Sequence, residues 1–201
     1  MSKQTIWNYL KKNTSLPDVA IAGIMGNMEC ESNCESMRLQ NDFSYNRQMS
    51  QHYADMVNSG TMDAQTFQSD QRGWGLCQWT WGPRKANLLK FCQSYGKGIE
   101  DEETQLRFML TELQSEFLTT WKAMLTATTT DYVSDIFCRN YENPEVTPTT
   151  YTTRRTASKE IYNKYHSPID EPVVETPVVD DDYKKAKAIA LLEEAIKLLT
   201  E

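Results

Sequence analysis

One helical segment, DVAIAGIMGNMECES (residues 18–32), constrains the fold more than any other part of the chain. Ile21, Ile24 and Met28 fall at the spacing of one helical face, so that face is buried. Gly23 and Gly26 stand inside the same helix, and each costs about 1 kcal/mol relative to Ala. Two such losses in one helix call for compensation, either tight helix–helix packing or a neighbour pressed close to make a cleft wall. Ser15-Leu16-Pro17-Asp18 fits a capping box with Pro in the first turn, which sets the expected start. The next member of the apolar stripe is Glu31. A carboxylate there, near the negative end of the helix macrodipole and shielded from water, is disfavoured in its charged form. That is the property a general acid for glycoside cleavage needs. The competing reading is a loop cap or an ion pair with an arginine. Glu29 points about 200° away, toward solvent or another helix.

Further helical patterns cover 45–57, 84–95, 101–113, 131–141 and 153–165, with Leu106, Leu110, Leu113 and Phe117 marking one buried face. The stretch Gly73-Trp74-Gly75-Leu76-Cys77-Gln78-Trp79-Thr80-Trp81 departs from this period. Its alternation, glycines and aromatics predict a short strand or hairpin. The expected class is α+β, predominantly helical, with a small β-hairpin.

Charge divides the chain. Through residue 166 there are 19 acids against 17 bases, a nearly neutral body that lacks the basic face of a nucleic-acid or anionic-membrane binder. Residues 167–182 carry six acids, three prolines and no base, which predicts an extended linker. Residues 183–201 are rich in Ala, Leu, Lys and Glu, and predict a separate amphipathic C-terminal helix. Such a helix is marginal alone in water, so its apolar face needs cover. The expectation is a homo-oligomer through 183–201, against the alternative of docking in cis. No run of eighteen apolar residues is present, and no secretory h-region opens the chain. Five cysteines, an odd number, point to mostly free buried thiols. Cys30 and Cys34 with His52 and His166 match no common zinc spacing, and no metal or other cofactor is expected.

With the 18–32 segment, the following GWGLCQWT and Arg84-Lys85, and Phe137-Cys138-Arg139-Asn140-Tyr141-Glu142-Asn143-Pro144 with Arg155 and Ala157, the chain resembles the phage tail-type lysozyme family. Those domains are similar to goose-type lysozymes and soluble lytic transglycosylases. The resemblance implies a lysozyme-like fold over residues 1–166, with Glu31 as catalytic acid and Gly75, Gln78, Trp79 and Thr80 in the sugar cleft. It also implies a phage endolysin or virion-associated lysin, held in the host cytoplasm before lysis or carried on the virion, that acts on bacterial peptidoglycan. Where the family has Gly after Glu-Ser, this chain has Asn33, which tolerates the left-handed helix stop.

For a second carboxylate, Asp70 is the leading candidate because it precedes the segment placed across the cleft; a solvated turn is the alternative. Glu142 is a third candidate, or simply the end of a helix. Trp74, Trp79, Trp81 and Tyr141 offer planes for sugar stacking, and three Trp so close together cannot all be core. The leading expectation is a peptidoglycan glycoside hydrolase, an N-acetylmuramidase that cleaves the β-1,4 bond between N-acetylmuramic acid and N-acetylglucosamine with Glu31 as general acid; the alternatives are a lytic transglycosylase with 1,6-anhydro products and a non-catalytic wall-binding or tail protein. A cysteine peptidase or amidase would need a Cys–His pair that the spacing does not suggest.

Overall fold

The computed structural model describes residues 3–40 and 46–166. The expected linker over 167–182, the helix over 183–201 and the oligomer contact assigned to it lie outside the described residues.

Helix α2 (Asp18–Ser32) is the axis of the molecule, and every residue from Ala20 to Met28 is buried. It packs chiefly on α8 (Thr130–Phe137) and α9 (Thr150–Tyr165), with α1 (Lys3–Asn13) on a further side. The glycines explain how. A Cβ on Gly23 would lie 2.6 Å from Val133 Cβ of α8, and one on Gly26 would lie 2.1 Å from Ser158 Oγ of α9 and 2.6 Å from its backbone nitrogen. Close helix packing therefore offsets the glycine cost. Glu29, on the opposite side, forms an ion pair with Lys3 of α1 at 2.6 Å.

Both ends of α2 are informative. The start is Asp18 with Pro17 at the N-cap and no side-chain cap, so the expected Ser15 capping box does not form. The Pro17 carbonyl instead accepts from the Ala20 and Ile21 amides. At the far end Asn33 takes the left-handed conformation (φ 57°), and its amide donates to Glu29 O while that of Cys34 donates to Met28 O. Asn thus serves as the helix stop.

The remaining helices are α3 (Arg47–Asn58), α4 (Ala64–Ser69), α5 (Gly82–Ser94), α6 (Glu102–Gln114) and α7 (Leu118–Leu125). Of all the helices, α1, α4 and α7 were not apparent from periodicity. The expected continuous helix over 131–141 changes hand-over at Cys138, where α8 gives way to a π-helix, Cys138–Glu142. The Asn143 amide closes it by donating to Cys138 O at 2.8 Å, and Asn143 ends it at φ 49°. The wider turn re-aims the side chains that follow, a common device beside functional sites.

The expected β-hairpin is not present. Among the described residues the only pairings are isolated bridges, Leu39 with Trp74 and Trp74 with Trp79. Trp74 and Trp79 exchange both backbone bonds, and side chains take neighbouring backbone groups that a longer ladder would use. The Gln105 amide oxygen accepts from Leu76 N, Gln40 Oε1 accepts from Gly73 N, and Ser32 Oγ donates to Leu76 O. Positive φ at Gly75 (76°) and Gln78 (44°) turns the chain between the two bridged tryptophans. The segment is a loop braced by amides, and the architecture is predominantly helical.

Gly26→Ala is expected to destabilise the protein by about 1–3 kcal/mol, because the new methyl meets backbone as well as Ser158 Oγ. Urea unfolding of Gly26→Ala with and without Ser158→Ala checks this. The second change should restore little, since the 2.6 Å clash with the Ser158 nitrogen persists.

Candidate active site

A cleft of about 1410 Å³ lies where the end of α2, the 73–81 loop, the start of α5 and the π-helix converge. Glu31 and Glu142 both line it, from α2 and the π-helix respectively.

Glu31 is held by α9. The Arg154 guanidinium pairs with its Oε1, and only 18% of the Glu31 side chain is exposed. The register follows from the glycine contact. Ser158 sits on Gly26, so Arg154, one turn earlier on α9, comes level with the C-terminal end of α2. Ser32, the next residue, donates to Met28 O at 3.0 Å and to Leu76 O at 2.9 Å, tying the helix end to the loop opposite. Burial raises the Glu31 carboxyl above its ordinary value, against the opposing pull of Arg154.

Glu142 is likewise pushed toward its neutral form. Burial pushes it well up, the nearby Glu31 charge adds to this, and Arg84 and Arg154 oppose it. Its Oε1 is buried without a hydrogen-bond partner. The thiol of Cys77 faces it, and burial pushes that thiol well up too.

Behind the cleft wall is a buried polar cluster. Arg84 grips Glu112 with two bonds of 2.8 Å, from Nε and Nη2, and donates from Nη1 to Tyr141 O at 3.0 Å. The Tyr141 hydroxyl donates to Glu112 Oε2 at 2.6 Å, and Trp79 Nε1 donates to the same oxygen at 3.2 Å. Every strong acceptor of Glu112 is thus engaged, which is what a buried carboxylate requires. Glu112 was not singled out by the sequence reading. Its signal is available in hindsight as a charge on the buried face of α6, seven residues from the equally buried Gln105.

The other expected site residues distribute as follows. Gln78, Thr80 and Tyr141 line the cleft. Gln78 is also structural, donating from Nε2 to Arg38 O and Gly75 O. Trp79 is 1% exposed and belongs to the core, with its indole N–H spent on Glu112. Gly75 packs on the Gln105 amide, where a Cβ would lie 2.5 Å from Oε1, and so braces the loop from behind. Trp74 is fully buried and donates to Ile99 O. The tryptophan that does face the cleft is Trp81, 67% exposed at its rim.

Asp70 is placed apart from Glu31. It caps the end of α4, accepts from the Tyr53 hydroxyl at 2.5 Å and from Arg72 N at 3.0 Å, and pairs with the fully buried Lys85. Its neighbours Ser69 and Gln71 line the cleft, and Asp70 does not. Burial lowers the Lys85 ammonium, and Asp70 opposes that shift. The geometry is that of a structural anion compensating a buried cation.

All five cysteines are free, and no three His, Cys, Asp or Glu side chains gather into a metal-binding group among the described residues. No helix of the described residues is long and apolar enough to cross a membrane.

The family model for phage tail lysozymes matches residues 2–165. The chain belongs to the phage tail lysozyme family. The match ends at Tyr165, the last residue of α9, and so takes in every element that builds the cleft. Membership places this chain among phage proteins that lyse peptidoglycan, and the mostly helical architecture is consistent with a lysozyme-like fold. No curated protein matches the sequence.

Asp70→Asn should cost about 3–5 kcal/mol, because Lys85 is left buried without its anion. Urea unfolding measures the loss. The wall-lytic rate per folded molecule, taken well below the unfolding midpoint, should stay near wild type; a collapse of that rate in a folded variant would make Asp70 catalytic.

Proposed function

We propose that this protein is a peptidoglycan glycosidase that cleaves the β-1,4 bond between N-acetylmuramic acid and N-acetylglucosamine, with Glu31 as general acid. The observation that carries the reading is a carboxyl group whose proton is favoured by burial, set in a large cleft of a phage tail lysozyme. Glu31 donates its proton to the glycosidic oxygen as the C1–O bond breaks, and the departing sugar leaves as an alcohol. Positive charge then develops at C1. Either the substrate's own acetamido oxygen or a carboxylate supports it, after which the Glu31 carboxylate takes a proton from the incoming nucleophile.

The cleft suits an amino sugar. Gln78 Oε1 and Thr80 Oγ1, whose protons are spent within the loop, offer acceptor oxygens to the N–H of acetamido groups, Tyr141 forms part of the wall, and exposed Trp81 offers a plane to the C–H face of a ring. Gly75 and Trp79 support this surface from behind.

A second reading is a lytic transglycosylase, in which the muramic C6 hydroxyl replaces water as nucleophile. The engagement of Asp70 with Lys85 and Tyr53 favours it, because the cleft then lacks that residue as a water-activating base. Mass spectrometry of digested peptidoglycan separates the two. Hydrolysis leaves reducing muramic ends, whereas the transglycosylase leaves anhydro ends one water lighter.

Glu31→Gln is expected to remain folded and to bind purified walls, and to lose at least 10²-fold in glycan-end release, the usual scale of a lost general acid. Undiminished release would remove Glu31 from the chemistry and leave a wall-binding or tail-structural role for it. The pH dependence has a definite sign. Because the Glu31 carboxyl is raised, activity is retained above the ordinary carboxylate range and falls as pH rises through the raised value. A rate that stays flat into strongly alkaline buffer would contradict this.

A further inference from the structure

Among the described residues, four arginines pair with a carboxylate: Arg84 with Glu112, Arg107 with Glu103, Arg154 with Glu31 and Arg155 with Asp135. Three of them use two nitrogens, Nε and Nη2, and Arg84 and Arg155 spread these over both oxygens of the partner. Arg154 is the exception. Its Nη2 donates to Glu31 Oε1, while its Nε is buried without a hydrogen-bond partner. Glu31 Oε2 accepts from none of the described residues. The fork is therefore half made, although Arg154 is only 9% exposed and held by the register of α9 on α2. The half that is missing decides where a proton can sit. A guanidinium only donates, so neutral Glu31 cannot carry its proton on the oxygen that Arg154 occupies and carries it on Oε2. Glu31 lines the cleft and Arg154 does not, so Arg154 acts from behind the carboxyl it holds.

Resting on the glycosidase reading, we propose that Arg154 is a positioning residue that holds protonated Glu31 by Oε1 alone and closes the fork, Nε onto Oε2, once Glu31 has given its proton away. Oε2–H passes its proton to the glycosidic oxygen as the C1–O bond breaks, and the electron pair of that bond leaves with the departing sugar. Oε2 is then a bare carboxylate oxygen, and the unspent Nε–H of Arg154 is the donor that meets it. When the incoming nucleophile loses its proton, Oε2 takes that proton, Nε is released, and the pair returns to its first arrangement with no net change. The second hydrogen bond exists only on the far side of proton transfer, so it favours the step rather than the resting state. Other titratable groups lie around Glu31: the thiols of Cys30 on α2, Cys77 on the loop and Cys138 on the π-helix, and the Glu142 carboxyl. Burial pushes all four toward their neutral forms. Arg84, Arg139, Glu116 and Glu145 line the same cleft, with Arg84 committed to Glu112. Of these charged groups and Arg154, the one in hydrogen-bond contact with Glu31 is Arg154.

The test follows the Arg154 Nε–H directly, by NMR on full-length protein labelled in arginine and in glutamate side chains, and compares wild type with Arg154→Met and Arg154→Lys in glycan-end release from purified peptidoglycan. The Arg154 Nε–H signal is the one missing from both variants. In wild type it should move with the same pH midpoint as the Glu31 carboxyl, and its exchange with water should slow above that midpoint. Arg154→Met removes cation and donors together. It should move the alkaline limb of the pH profile up by about one unit or more, the scale of a lost opposite charge, and lower kcat by about 10- to 100-fold with KM near wild type. Arg154→Lys keeps the charge and loses the planar fork, so its limb should lie near that of wild type and its kcat between the other two. An Nε–H signal that ignores the Glu31 titration overturns the closing fork. A limb that stays in place in Arg154→Met, or a loss confined to KM, overturns the positioning role. If Arg154→Met does not fold, the wild-type Nε–H titration and the kcat of Arg154→Lys decide. Failure of the glycosidase reading looks different: wild type then releases no glycan ends at any pH, while the Nε–H signal still follows Glu31.

Discussion

The close approach of α9 to α2 is the constraint on which the site depends. It rests on Gly26, because any side chain there would collide with the backbone of Ser158. With the two helices in contact, Arg154 reaches Glu31, and the carboxyl is held by a partner that is itself buried. Gly23 does the same for α8 through Val133, and Asn27 reinforces that seam by donating to Ser134 O at 3.1 Å. The π-helix continues directly from α8, so the position of Glu142 follows from the same packing. Two glycines that weaken an isolated helix thereby place both cleft carboxyls. Their cost as weak helix formers, about 1 kcal/mol each, is smaller than the burial that close packing of an almost wholly apolar helix makes possible.

Polar groups inside this fold come in two kinds. Glu112 with Arg84, Tyr141 and Trp79, and Lys85 with Asp70 and Tyr53, are saturated with partners, and each joins elements distant in sequence. Saturation makes a buried charge tolerable, and it also locks the side chains in one arrangement. Glu31 and Glu142 are supplied less generously: one has a single cation and the other has a bare buried oxygen. Incomplete pairing is a stability cost in a structural residue and a requirement in a group that must release and regain a proton. Buried carboxyl oxygens without a partner also occur at Glu35 and Asp131, outside the cleft, so it is the place of Glu31 and Glu142 in the cleft that makes them candidates for chemistry.

The helical framework was legible because apolar spacing is a strong local signal. The patterns over 84–95 and 101–113 correspond to α5 and α6 within two residues at each end. Glu31 was legible for the same reason, as a carboxylate interrupting a stripe. Short helices such as α4, with one buried residue, carry too little periodicity to be read. The loop over 73–81 was misread because alternation and aromatics signal a strand only when the backbone is free to pair. Here Gln40, Gln105 and Ser32, remote in sequence, take Gly73 N, Leu76 N and Leu76 O, and backbone pairing is left to two isolated bridges. Asp70 was drawn toward the site by its position before that loop, and its commitment to Lys85 depends on a tertiary contact between α4 and α5. Arg154 and Glu142 depend on helix register and on a π-turn, neither of which a spacing rule expresses.

The braced loop has a consequence for how the cleft works. A hairpin would hold its wall by backbone pairing and would present alternate side chains to the cleft along its length. In this chain the wall is held by backbone bonds at only two bridges, Trp74 with Trp79 and with the 38–40 segment, and by side chains reaching in from elsewhere, and the chain turns sharply at Gly75 and Gln78. Those turns send Trp74 and Trp79 inward and Trp81 outward, so the three tryptophans divide between core and rim. The buried pair stiffens the loop from beneath: Trp74 donates to Ile99 O and Trp79 to Glu112. Glu112 is in turn held by Arg84, whose guanidinium also lines the cleft and contributes to the field at Glu142. The loop wall and the Glu142 carboxyl therefore share one rigid support, so a displacement of the loop alters the field at Glu142 as well as the shape of the cleft.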